Sequence, residues 1–335
     1  MRIRRRTRIT IAVVVVILLL LAVALYLRVK APPEAARLLP ESDGIVYLNL
    51  RPIRAVTHFD QHPVTHDPDY QRFVDATGIQ FERDLDEVAF ALHRLPNSSG
   101  PNGAVAFSEV FVGHFDGRRL TQYLQTLSTA QESYAGHTIY SIPSDGRTVH
   151  VTLIGYDMVA VSNTPTVEQI HSMLDRHRSA ALPFSGSSLL TDRYEDVPLL
   201  SLAWGIGQIG LPFGDSGNVS IFGLRLPIPF DSMLIASVRW TGSLRLRVEE
   251  IAPSEEAAAS SADSVKILLN FARNAESVAP GVTGAELKPL LDSMQIEHHR
   301  DRAVLHATVT PQLLERLVTP SAKLQELPLP GGGNK

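Results

Sequence analysis

Residues 85–127 read LDEVAFALHRLPNSSGPNGAVAFSEVFVGHFDGRRLTQYLQTL. Val88 to Leu92 and Ala104 to Phe115 are rich in β-branched and aromatic residues, and the Pro/Asn/Ser/Gly run between them is a turn signal. From Gly117 to Leu127 the period changes, and Leu120, Tyr123, Leu124 and Leu127 fall on one helical face. The unit is strand, strand, helix.

The unit recurs downstream. His137 to Ile142 and Thr148 to Ser162 are expected as strands around Ser144-Asp145-Gly146, followed by a helix from Thr166 to Arg176 that carries Val167, Ile170, Met173 and Leu174. Ser232 to Trp240 and Ser243 to Ile251 flank Thr241-Gly242, and a helix over Ser254 to Ser277 follows. Met294 to His299 and Ala303 to Thr308 flank Arg300-Asp301-Arg302, with a closing helix from Pro311 to Val318. Ile45 to Leu50 and Val197 to Trp204 read as single strands that open each pair of units. Four units in two halves result. Hairpins followed by helices predict an α+β fold of antiparallel sheets with the helices on one face.

Outward toward the N-terminus lies ITIAVVVVILLLLAVALYL, Ile9 to Leu27, a run without charge. As a helix it would be about 28 Å long, close to the hydrocarbon thickness of a bilayer. Arg2, Arg4, Arg5, Arg6 and Arg8 precede it and only Arg28, Lys30 and Arg37 follow, which predicts a single span with a cytoplasmic N-terminus and an exported remainder. The rival reading is a cleaved signal peptide ending at Ala22-Val23-Ala24. The expected organisation is a basic tail over 1–8, the span over 9–27, a Pro-rich linker over 28–38, ectodomain halves over 39–182 and 183–320, and a disordered tail over 321–335.

Composition narrows the function. The first thirty residues hold seven of the 31 basic residues and none of the 35 acidic ones, so the rest carries a balance of −11. Phosphates would repel such a domain, which makes nucleic acid a poor partner. The chain has no cysteine, hence no disulfide, thiolate metal site or cysteine nucleophile, and with an exported domain this favours a bacterial periplasm. No Gly-x-Ser-x-Gly, Ser-x-x-Lys or His-Glu-x-x-His motif is present, and no cofactor is called for.

Three stretches are candidates for chemistry. Gly205-Ile206-Gly207-Gln208-Ile209-Gly210 matches a dinucleotide fingerprint as a string, but Pro212 and Gly214 would stop the helix that fingerprint needs, so a flexible connection is expected. His58, His62 and His66 recur every four residues beside Asp60, Asp67 and Asp69, a spacing that would suit a borderline cation on one helix, although Pro63 interrupts it. Gly205 to Phe230 is apolar yet dense in glycine and proline; Ile221, Phe222, Leu224, Leu226, Ile228 and Phe230 could form a patch that docks a partner, or tuck over the core.

The stretch Leu39-Pro40-Glu41-Ser42-Asp43-Gly44, running into Ile45 to Leu50, resembles the Leu-Pro-x-(Asp/Ser)-(Ala/Gly) opening strand of a family of uncharacterised bacterial single-pass envelope proteins. Val110 to Asp116, and Tyr134 to Tyr140 with Asp157 to Ser162, are similar to that family too. The resemblance implies location and fold and carries over no catalytic residue. The resulting expectation is a membrane-anchored periplasmic binding or scaffolding protein that engages another envelope protein. A metal-dependent or hydrolytic enzyme and a lipid- or hydrophobe-binding module are the alternatives.

Overall fold

The computed structural model describes residues 13–22, 26, 30–61, 67–96, 103–179, 185–208, 220–221, 224–225, 231–274, 277–279 and 282–311. Its centre is one antiparallel sheet of twelve strands. The first half supplies Gly44–Asn49 (β1), Leu85–Arg94 (β2), Val105–Gly113 (β3), Ala130–Tyr134 (β4), His137–Ser144 (β5), Arg147–Ile154 (β6) and Met158–Ser162 (β7). The second supplies Ala203–Gln208 (β8), Met233–Trp240 (β11), Leu244–Ile251 (β12), Gln295–His299 (β15) and Arg302–Val309 (β16). Two small ladders stand apart, Ser220–Ile221 (β9) with Leu224–Arg225 (β10) and Ser277–Ala279 (β13) with Val282–Thr283 (β14).

The strand order is β15-β16-β12-β11-β8-β1-β2-β3-β7-β6-β5-β4. Read outward from the β1–β8 pair, one half runs β1-β2-β3-β7-β6 and the other β8-β11-β12-β16-β15, the same path taken twice. The two halves are therefore joined strand to strand in a continuous sheet, with Tyr47 opposite Trp204 and Gly44 opposite Gly207.

Successive residues of a strand point to opposite faces. One face carries Ile45, Tyr47, Ala89, Val110, Ala160, Trp204, Ile206 and Ile235, all buried, and is called here the Tyr47 face. It is covered by helices Glu34–Leu38 and Glu168–Arg178 in the first half and by helix Ser188–Arg193 at β8, which contribute Ala35, Ala36, Leu38, Ile170, Met173, Leu174 and Leu190 to the core. The opposite, Phe90 face carries Phe111, Tyr140, Val151 and Val159 in the first half, under helices Pro68–Thr77 and Gly117–Leu127. In the second half helices Glu255–Asn274 and Gly284–Ser293 lie on that same Phe90 face, where Ser261 donates to Glu250 at 3.2 Å.

Several expectations are corrected. The helices do not gather on one face: in the first half they sandwich the sheet, because β2, β3 and β7 are apolar on both sides. The strand expected over Thr148 to Ser162 is two strands, broken at Gly155 with φ of +66° and at Tyr156, which is 97% exposed. Ala130–Tyr134 adds an edge strand that its polar composition concealed, joined to β5 through the left-handed pair Ala135 and Gly136. Residues 34–38, read as linker, form a helix whose Ala35, Ala36 and Leu38 are fully buried.

The membrane-spanning helix expected over Ile9 to Leu27 is not supported. Within that run 13–22 is helical, and 9–12, 23–25 and 27 lie outside the described residues. Among the described residues no helix is long and apolar enough to cross a membrane, a crossing that takes roughly 20 residues. The single-pass topology, the inner-membrane location and the periplasmic placement rested on that span and fall with it.

A polar seam crosses the core of the first half. His93 lies 2.8 Å from Ser108 Oγ, Ser108 lies 3.1 Å from Ser162, and Ser162 lies 2.8 Å from Thr164, all four residues buried. His150 reaches Ser141 Oγ through Nδ1 at 3.1 Å. Burial holds both imidazoles below the usual histidine range, partly offset at His93 by Asp43 and at His150 by Glu132. A lowered folded pKa stabilises the fold fully above the unfolded value of about 6.5, and that contribution is lost as pH falls through the folded value. The thermal midpoint is therefore expected to fall as pH drops below about 6.5, and a His93→Gln, His150→Gln double variant to show a shallower slope. Equal slopes in parent and variant would remove the two histidines from this account.

Candidate functional site

The Tyr47 face of the second half differs from that of the first. Among the described residues no α-helix makes an extended contact with β11 or β12; the short turn of helix Tyr194–Asp196 packs on the inner part of this face, where Ile235, Ser237 and Glu249 are at most 2% exposed, and the helices on β15 and β16 sit on the other side. The reason is in the alternation of LRLRVEEI, Leu244 to Ile251, which turns Arg245, Arg247 and Glu249 to the Tyr47 face and Leu246 and Val248 away from it. A face so charged cannot seat an apolar helix as Ala160 and Ile154 do under helix 168–178.

At its centre Glu249, 1% exposed, is held by two arginines. Arg302 Nη1 donates to Glu249 Oε1 at 2.8 Å and to Asp196 Oδ1 at 2.8 Å. Arg247 Nη1 lies 2.7 Å from Glu249 Oε2 and donates to the Asp196 carbonyl at 3.4 Å. Hydrogen bonds to Glu249 first, and then to Asp196, push the Arg302 guanidinium pKa further up, so this group is a permanent cation. The cluster ties the stretch before β8 down onto β12 and β16.

Beyond it the charges are not neutralised. Arg239 on β11 stands directly opposite Arg245 on β12, and Arg247 stands opposite His306 on β16. Among the described residues neither Arg239 nor Arg245 has an ion pair or side-chain hydrogen bond, and Arg245 and His306 are exposed. Like charges directly opposite each other on a sheet are destabilising. At this end of the face two cations thus stand together without a counter-charge among the described residues.

A second depression, of about 510 Å³, is lined by Glu168, His171, Ser172, Asp175, Arg176 and Ser179 on the outer side of helix 168–178. Its charges are satisfied internally. His171 pairs with Glu132 at 2.8 Å and stacks on Tyr134, Tyr134 donates to Asp175 at 2.9 Å, and Arg176 donates to Glu41 at 2.7 Å. A site with every charged group spoken for offers less to a ligand than one with two free guanidinium groups.

The residues singled out in the sequence lie elsewhere. His58 ends helix Leu50–Thr57 with φ of 49°, and His62 and His66 lie outside the described residues. Among the described residues no three His, Asp or Glu side chains are grouped to hold a metal. Ile221 and Leu224 pair in the β9–β10 ladder, while Phe222, Leu226, Ile228 and Phe230 lie outside the described residues. Gly205-Ile206-Gly207 is no flexible connection: it is the middle of β8, flanked by β1 and β11, with Ile206 2% exposed. On β15 and β16, His299 and His306 share the Tyr47 face and His298 points the other way. The arginines of this face went unremarked, although Arg245-x-Arg247-x-Glu249 has the spacing that puts charges in a row.

No family model matches the chain, and no curated protein matches it. Among solved structures, crystal form III of TP0453 is similar with a TM-score of 0.45 at 14% identity, over 86% of this chain and 98% of that one. Crystal form IV gives 0.44 at 13%, over 85% and 96%, and crystal form I gives 0.43 at 13%, over 86% and 98%. A likeness at that level carries no function to this chain.

Proposed function

We propose that this protein is a binding module, not an enzyme, and that it docks a protein partner at the Arg239/Arg245 end of the Tyr47 face of its second half. The observation that carries the reading is the directly opposed pair Arg239 and Arg245, unneutralised among the described residues on a face that the first half covers with helices. The opposed cations cost stability, which selection tolerates where the surface has a use.

The test is site-specific photocrosslinking of the full chain in its native cells. A photoreactive residue at Thr308, which faces Arg245 across β12 and β16, is expected to give discrete adducts that one at Tyr156, on the first half and 97% exposed, does not. Identical adduct patterns from both positions would overturn the reading.

A further inference from the structure

Resting on that reading, we infer that the partner presents a short segment that combines carboxylates with apolar side chains. Arg239 stands opposite Arg245 at cross-strand distance, roughly 5 Å between Cβ atoms, so two guanidinium groups can converge on one carboxylate.

An apolar rim borders these cations. Leu199 and Leu200 are 47% and 82% exposed, and Leu200 has φ of +62°, a left-handed conformation that a leucine rarely adopts. They lie between Asp196, which binds Arg302 and Arg247 on this face, and Leu202, whose N–H donates to Val238 O at 2.7 Å in the β8–β11 ladder, next in sequence to Arg239. Two exposed leucines beside two free arginines suit a peptide that is both acidic and apolar. A nucleic acid fits less well. The chain as a whole carries −4, so a long polyphosphate would meet repulsion beyond the patch and find few cations within it.

The experiment uses fluorescence anisotropy with the full chain and three labelled probes: a hexapeptide of alternating leucine and glutamate, its glutamine counterpart, and a hexathymidylate. The glutamate peptide is expected to bind, and the glutamine peptide about tenfold more weakly or worse. The Arg239→Gln, Arg245→Gln double variant should lose about tenfold, and Leu200→Ala several-fold, for the glutamate peptide alone. Because the double variant relieves a like-charge pair, its thermal midpoint is expected to equal or exceed the parent's, which separates lost binding from lost fold. Equal binding of the hexathymidylate, absence of glutamate-peptide binding, or an unaffected double variant would each overturn the inference. Crosslinking confined to Thr308 together with no peptide binding would leave the docking face standing and remove only this chemistry.

Discussion

Trp204→Ala is expected to destabilise the protein by about 4 kcal/mol, the scale of emptying a large aromatic site in a closed core. Trp204 is 3% exposed and sits on β8 at the junction of the two halves. Its ring stacks on Tyr47 of β1, centroids 5.5 Å apart at 26°, and meets Tyr194 edge-on at 5.3 Å and 65°. The indole thus fills the space where the halves are stitched together. Urea unfolding of the alanine variant is the measurement. A large loss with one transition retained shows that the sheet unfolds as one unit; a split into two transitions shows that the junction alone couples the halves. A loss below about 1 kcal/mol would mean that the site collapses around the cavity and that the aromatic cluster is not what holds the junction. Trp204→Phe, which keeps a ring against Tyr47, is expected to lose less.

Arg302→Ala is the second large effect, at about 3 kcal/mol. Glu249 is buried and has Arg302 and Arg247 as its two cations. Removing one leaves a buried carboxylate half-compensated, which costs more than an exposed ion pair contributes. Arg302 is 36% exposed at its side chain, which places the expected loss at the lower end for a broken buried pair. The check is a thermodynamic cycle with Glu249→Gln. The double variant should lose less than the two single losses added together, since the glutamine no longer needs a cation. Strict additivity would show that the two side chains do not interact in solution.

Arg302→Ala also reports on the docking face. Asp196 is held by Arg302, so the variant frees the stretch that carries Leu199 and Leu200. Loss of this anchor is a positioning effect, distinct from removal of the free guanidinium groups of Arg239 and Arg245.

Much of the architecture is legible in the chain. Ser144-Asp145-Gly146 and Thr241-Gly242 mark hairpins because two-residue turns need left-handed backbone, which Asp145, Gly146 and Gly242 adopt with φ of 47°, 76° and 83°. Helix 117–127 follows from Leu120 and Leu124, which are buried, and from Asp116, whose carboxylate caps the first turn. Where reading failed, the signal was nonlocal. The paired prolines Pro32-Pro33 hid the buried helix 34–38, and Gly205-Ile206-Gly207 looked like a loop because glycine is rare in strands. It forms a strand because β1 and β11 bond it from both sides.

The candidate face shows the same division. That Arg245, Arg247 and Glu249 share one side of a strand is a property of period-two alternation and needs no structure. That Arg239 comes opposite Arg245, that Asp196 arrives from 51 and 106 residues away to bridge Arg247 and Arg302, and that this face stays open at its Arg239/Arg245 end are matters of register and strand order. Alternation, turn residues and caps are set by neighbours a few positions apart, so the chain alone determines them. Which strand lies beside which depends on burying distant apolar surfaces together, and here only the folded sheet decided it.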